Sequence, residues 1–356
     1  MTAKKLHRTS SRTRGLRLLL AGAALSILVV LLALRLEGLG LAREQNPSEM
    51  SDIGPLFGHS EHPVLETGQD GSWDSGSIHA PSVVKVGDRY LMWYDGTSGN
   101  DPYAGWSIGL AWSTEIDSES WVKHPDNPVL IPGSQGEWDS VSVHDPRVIY
   151  DEGFYRMWYS GYDGHLWRIG YATSTDGVVW TKHPANPVMH PGAPGEWDAS
   201  GVAYSSVLFQ GGLYRMWYQG LGRDGAWRIG YATSKDGLLW EKHSSNPVVA
   251  TGPGDSWDGQ KVMTPHVVKI GAQLVMFYTG APLWGIGYAT SKDGVQWQKM
   301  ASNPIIASAP PGSWDSQQAI TVTAWVDKGA LRLWYAGGDG RRFGIGQVSA
   351  PLAPSP

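Results

Sequence analysis

The 356-residue chain contains no cysteine. That excludes disulfide staples, thiolate nucleophiles and cysteine-bound metals, and it leaves the redox compartment unreadable from this residue. Acidic residues are missing from positions 1–35, which carry seven basic ones (Lys4, Lys5, Arg8, Arg12, Arg14, Arg17 and Arg35). Removing those seven from the 28 basic residues leaves 21 against 33 acidic ones, a net −12 over the rest of the chain. A surface of that sign lacks the basic footprint that nucleic acid requires. Phenylalanine is scarce, at five, beside 19 tryptophans and 15 tyrosines. Most of these large rings fall at repeating positions, which reads first as repeat core.

One long apolar run is present, residues 18–34, seventeen residues without a charge. That is the lower limit for spanning a bilayer. Its basic flank lies on the N-terminal side, which leaves the N-terminus in the cytoplasm and the chain beyond it outside. The expected organisation is a basic cytoplasmic segment (1–17), a transmembrane signal anchor (18–34), a polar linker (35–50), a repeat domain (51–350) and a tail (351–356). A cleaved signal peptide ending near Gly40-Leu41-Ala42 is the alternative, and would make the domain secreted. The expected contacts are then the membrane, through the N-terminal helix, and no nucleic acid.

The repeat itself is marked by a Trp-Asp pair that recurs five times, at Trp73, Trp138, Trp197, Trp257 and Trp314. Twenty residues after each tryptophan comes an aromatic pair beginning at Trp93, Trp158, Trp217, Phe277 or Trp334. Strand patterns of the "RIGYATS" type follow, then an Asp-Gly turn (Asp176, Asp236, Asp293), a further tryptophan, and an Asn-Pro pair. The Asp-Gly pair reads as a tight hairpin. Four short antiparallel strands at a fixed period predict a propeller blade. The fifth unit stops after its third strand. The segment around His62-Pro63-Val64 matches the missing fourth and should close the ring. The fold class expected is all-β: a five-bladed propeller of four-stranded antiparallel blades, closed by an N-terminal strand and preceded by one transmembrane helix.

Spacing also predicts where function lies. The connection between strands two and three varies in length while the others hold constant, so the working face should carry Asp95–Trp106, Tyr162–Trp167, Leu221–Trp227 and Gly338–Arg342. On the innermost strands, Ala80, Asp145, Tyr204, Thr264 and Thr321 stand seven residues after the Trp-Asp tryptophans. Ser82, Arg147, Ser206, His266 and Thr323 stand nine after. Alternation predicts that these two sets line the axis and that the residues between them pack. Polar groups converging on one axis suggest a small-molecule site, with a water-filled channel as the plainer alternative.

The segments "VHDPRVIYDEGFYRMWYSG" and "IGYATSTDGVVWTKHPANPV" resemble the five-bladed propeller glycoside hydrolases, a superfamily that includes families 43, 32 and 130. The resemblance spans residues 51–350. It implies a glycoside hydrolase-like protein acting on extracytoplasmic oligo- or polysaccharide. In such enzymes an Asp before Pro on an innermost strand is a catalytic or charge-tuning carboxylate, and Asp145 alone matches. Glycosidic cleavage usually needs two carboxyl groups. The equivalent blade positions carry none, so the set is incomplete and a loop must supply the second. Asp163, Asp224, Asp95 and Asp101 are candidates. Asp163, on the same blade as Asp145, is preferred as the acid, with Asp145 as base or electrostatic stabiliser. A solvated loop is the plainer reading of Asp163.

His79 and His144 read either as packed histidines or as ligands for sugar hydroxyls or an axial cation. Arg147 reads as an ion-pair partner of Asp145 or as a binder of an anion such as a uronate or phosphate. Tyr204, Thr264 and His266 join them as substrate-binding candidates. Trp106, Trp167 and Trp227 head third strands, as scaffold or as exposed platforms for sugar rings, and Arg168 and Arg228 follow two of them. The Trp-Asp aspartates recur in every unit and read as turn caps. No cofactor is implied, although a structural cation on the axis is left open. The alternatives to a hydrolase are a non-catalytic carbohydrate-binding propeller and a phosphate-dependent phosphorylase. A protein-interaction platform would instead require an apolar face without converging polar groups.

Overall fold

The computed structural model describes residues 60–352 except 100, 118–120 and 328, together with 53 and 56. The anticipated anchor and linker lie outside the described residues. Among those described, no helix is long and apolar enough to cross a membrane.

Nineteen strands form five antiparallel sheets. The innermost strands are β1 (Ser77–Val86), β5 (Ser142–Asp151), β9 (Gly201–Gln210), β13 (Lys261–Ile270) and β17 (Gln318–Asp327). Beside them run β2 (Arg89–Thr97), β6 (Phe154–Tyr162), β10 (Leu213–Leu221), β14 (Gln273–Ala281) and β18 (Ala330–Gly338). Third in each blade are β3 (Ser107–Ser113), β7 (Trp167–Ser174), β11 (Trp227–Ser234), β15 (Gly285–Ser291) and β19 (Phe343–Pro351). Two-residue outer strands complete four blades: β4 (Val122–Lys123), β8 (Thr181–Lys182), β12 (Glu241–Lys242) and β16 (Gln298–Lys299).

The first hairpin of each blade follows from local chemistry. Glu152-Gly153 and Gly211-Gly212 connect β5 to β6 and β9 to β10 with φ of 51°, 83°, 62° and 76°. Two successive positive φ values suit the twist of a two-residue hairpin. The Asp-Gly pairs behave otherwise than expected. Asp176 does not sit in a two-residue hairpin; its Oδ1 accepts the N–H groups of Val178 and Val179, while Ser174 Oγ accepts that of Gly177. The side chain caps a longer turn because β8 is only two residues long.

The core lies between blades. Trp93, Ile108, Leu110 and Leu130 of the first blade pack with Val143, Val148, Tyr155 and Met157 of the second, all buried. Three of the aromatic-pair tryptophans also bond across. The Nε1–H groups of Trp93, Trp158 and Trp217 donate to the carbonyls of Gly177, Gly237 and Gly294 in the following blade, at 2.8–2.9 Å. The N-terminal segment closes the ring where the sequence places it, but by a short bridge, and the fifth sheet has three strands among the described residues. Val64 N–H donates to Ile345 O at 2.8 Å and Ile345 N–H to Leu65 O at 2.9 Å. The same antiparallel bridge joins Ile169 to Met189 and Ile229 to Val249.

The Trp-Asp aspartates clamp the blade rather than merely capping a turn. Asp139 is buried, and its Oδ2 accepts Tyr159 Oη–H at 3.1 Å and Lys182 Nζ at 2.7 Å. Asp198 does the same with Tyr218 and Lys242. One carboxylate thereby ties the second strand to the outermost.

Candidate active site

Each innermost strand is interrupted at the same place. Ala80, Asp145, Tyr204, Thr264 and Thr321 all take left-handed φ, between 40° and 54°. At each, the register slips, as between His144 and Arg147. This is a bulge, in which the extra residue bends the strand and re-aims its side chains. Strict alternation therefore fails. The axial recess is lined by Pro81, Pro146, Ser205, Pro265 and Val322 with the residue before each, and by Arg147 and His266; the expected Ser82, Ser206 and Thr323 are absent from it, Ser82 and Ser206 accepting the Val148 and Val267 N–H groups instead. Left-handed φ is costly for non-glycine residues and needs surrounding support.

The support is a side chain from the preceding blade. Asp145 N–H donates to Asp95 Oδ2 at 3.0 Å, Tyr204 N–H to Ser160 Oγ at 2.9 Å, Thr264 N–H to Gln219 Oε1 at 3.0 Å, and Thr321 N–H to Thr279 Oγ1 at 3.2 Å. All four acceptors directly follow the Trp-Tyr or Phe-Tyr pair. The fifth such position is Ala336, and there Ala80 N–H turns to Thr321 Oγ1 at 3.1 Å. These inter-blade pegs hold the bulges at the axis. The peg serving Asp145 is the acidic one.

Asp95 and Asp145 are both buried, and donor atoms of Asp95, His144 and Asp145 lie within 4.8 Å of one another. Neither Asp145 oxygen completes a hydrogen bond among the described residues. Burial drives its pKa well above the ordinary carboxylate range and the adjoining Asp95 charge pushes the same way; the neighbouring Ser160 and Tyr204 hydroxyls offset only part. Burial alone would also raise Asp95. The bond from the His144 ring at 3.3 Å, with the Asp145 N–H, outweighs it and holds Asp95 below the usual range. The pair is thus biased toward a proton on Asp145 and a charge on Asp95, a bias that favours Asp145 as the proton donor of the two. These donors stand close enough to surround a cation.

Arg147 is half-buried on the axis, two residues past Asp145. No carboxylate among the described residues lies within ion-pair distance of it, so the expected pairing with Asp145 is not formed. Its Nη1 meets His266 Nδ1 at 2.8 Å and Thr323 Oγ1 at 3.5 Å. Desolvation lowers the guanidinium to about 10 and, with Arg147 beside it, drives His266 well below its ordinary value. Thr264 Oγ1 pairs with Thr279 Oγ1 at 2.7 Å. The half-buried Tyr204 faces Asp145, and burial first, then the two carboxyls, raise its phenol.

His79 and His144 are packed. Trp106 lies between them, 4.7 Å from His79 and 4.8 Å from His144 by ring centroid, and Phe343 abuts His79 edge-on. Burial holds His79 neutral, at about 4. Trp106 is therefore buried, not a platform. Trp167 is half-buried and stacks on Tyr162 at 4.6 Å; Trp227 is also half-buried. The loop acids serve their own loops. Asp163 accepts from His165 N–H, Leu166 N–H and Arg168, and Asp224 accepts from Ala226 N–H and Arg228. Asp163, Arg168, Asp224 and Arg228 are absent from the lining of the axial recess. The second carboxyl group at Asp145 is instead Asp95. Its signal in the sequence is an acid directly after the Trp-Tyr pair, where the other blades carry Ser, Gln, Thr or Ala.

Comparison with known proteins agrees with this architecture. The family model described as β-1,4-mannooligosaccharide phosphorylase, glycoside hydrolase family 130, matches residues 104–193. An uncharacterized Mycobacterium tuberculosis protein is 32% identical over 239 residues, covering 64% of this chain and 75% of that one. A 1,2-β-oligomannan phosphorylase of a Thermoanaerobacter species is 29% identical over 244 residues, with the same coverage. Among solved structures, one from the family 130 mannoside phosphorylases, described as containing hydrolases that target β-1,2-mannosidic linkages in Candida mannan, superposes with a TM-score of 0.62. It is 18% identical and covers 88% of this chain and 95% of its own. The chain belongs to the five-bladed β-propeller glycoside hydrolase superfamily, with family 130 as the family whose model it matches.

Proposed function

We propose that this protein cleaves β-mannosidic bonds in oligosaccharides, with Asp145 as general acid and inorganic phosphate as the attacking group. The observation that carries the reading is the Asp145 carboxyl: buried, biased toward its protonated form, and without a hydrogen-bond partner among the described residues. A neutral acid facing an axial recess can protonate a leaving oxygen. The recess itself, of about 30 Å³, has room for roughly one water molecule. A sugar ring therefore seats at its mouth, with the scissile oxygen turned down to Asp145.

The acceptor follows from what adjoins that acid. Hydrolysis by paired carboxyls sets them roughly 5–5.5 Å apart for retention, or 6.5–9.5 Å apart across the sugar for inversion. Asp95 abuts Asp145, within 4.8 Å, and its Oδ2 is occupied. It is poorly placed to activate water on the opposite face. Phosphate needs no base, because it is already an anion. Arg147, a guanidinium with no carboxylate partner among the described residues, supports binding of such a group. In the step, the C1–O bond breaks and its electron pair stays with the leaving oxygen, which takes the Asp145 proton. An oxygen of hydrogen phosphate bonds C1, and the proton that this phosphate carries is released as the sugar phosphate ionises and restores Asp145 through solvent. The apolar run at 18–34 supports an extracytoplasmic setting for the reaction.

The test is product analysis on β-1,2- and β-1,4-mannooligosaccharides, with and without phosphate. Mannose 1-phosphate formed only with phosphate supports the proposal. Free mannose released equally in both would mean water is the acceptor. No cleavage, with binding retained, would leave a carbohydrate-binding propeller.

A further inference from the structure

We propose that Asp95 is the positioning residue of this site: it pegs the Asp145 backbone and keeps the neighbouring carboxyl in its proton-donating form. The inference rests on the reading of Asp145 as the acid and names the device that makes it one. Four blades receive the same service, an N–H on a left-handed bulge caught by a side chain from the blade before. Ser160, Gln219 and Thr279 show that a neutral acceptor suffices for that structural task. A carboxylate serves one bulge, and that bulge carries the axial acid. The charge is therefore surplus to holding the fold.

The groups around Asp145 show what the charge does. Asp95 approaches from β2, His79 from β1, His144 and Arg147 from β5, Tyr204 from β9 and His266 from β13. His79 is held neutral by burial, and Arg147 is engaged with His266. His144 bonds Asp95 rather than Asp145. Asp95 Oδ2 accepts the His144 ring and the Asp145 N–H, while its Oδ1 has no hydrogen-bond partner among the described residues. A second ionised carboxylate at this distance is resisted, as in any pair of adjoining acids.

The experiment is a pH titration of ¹³C-carboxyl aspartate signals in the purified full chain, with the Asp145 signal assigned by its loss in D145N. It needs no substrate, so it is decided even if no glycan is cleaved. In the wild type, Asp145 should titrate well above an ordinary aspartate. In D95N, which keeps an oxygen for the Asp145 N–H, the midpoint should fall by about one pH unit or more. D95S, which copies the Ser160 peg, should give the same fall and serves if D95N folds poorly. A folded D95N or D95S with an unmoved Asp145 midpoint would overturn the proposal, since a purely structural peg leaves that midpoint where it was.

Discussion

Asp95 Oδ2 accepts the backbone N–H of Asp145 at 3.0 Å, from the neighbouring blade and at a bulge where φ is 54°. The same bond locates the acid and places a charge beside it. One contact thus links the inter-blade architecture to the chemistry of the axis.

The pegs should be measurable as stability. Thr279 Oγ1 accepts Thr321 N–H at 3.2 Å and pairs with Thr264 Oγ1 at 2.7 Å. Thr279→Val keeps the shape but strands a buried N–H and a hydroxyl. Such groups cost about 1–3 kcal/mol when left unpaired. Urea denaturation of T279V should show a loss in that range, and an unchanged midpoint would deny the pegs a structural role.

The Trp-Asp clamp predicts an ordered pair of effects. Tyr159→Phe removes one hydrogen bond to Asp139 and should cost about 1 kcal/mol. Asp139→Ala removes the acceptor of both Tyr159 and Lys182 and should cost about 2–4 kcal/mol, because it strands the partly buried ammonium. Thermal denaturation should rank the two variants in that order.

His79 gives a pH signature. Its folded pKa is lowered from 6.5 to about 4, so below 6.5 the unfolded chain takes up a proton that the folded one refuses. Its contribution is full above that pH and is lost as pH falls toward 4, by about 3 kcal/mol in all. Chemical denaturation from pH 7 to 4 should show a shallower fall in His79→Phe than in the wild type.

The propeller was legible because its repeats constrain spacing, and spacing survives in sequence. The Trp-Asp pairs and the Val64 segment each mark a blade element that the structure places where the spacing puts it, although the aspartates clamp strands rather than cap turns. The axis was harder to read. Alternation predicts which residues face inward only while a strand stays regular, and five bulges break it at the site itself. The tryptophans heading the third strands gave no signal of burial, since a scaffold ring and a sugar platform look alike in sequence. Asp95 was visible as an acid but resembled the start of a loop. Its meaning lay in alignment with Ser160, Gln219 and Thr279, and in the fact that each reaches the next blade.

The central claim is that Asp145 donates the proton. Asn tolerates left-handed φ, and the carboxyl it replaces has no hydrogen bond to lose among the described residues. D145N should therefore fold like the wild type. The most direct measurement is single-turnover cleavage of a β-mannooligosaccharide with phosphate by both proteins. The account predicts a loss of about 10²–10⁴-fold in D145N with substrate affinity little changed. Cleavage by D145N at the wild-type rate would contradict it.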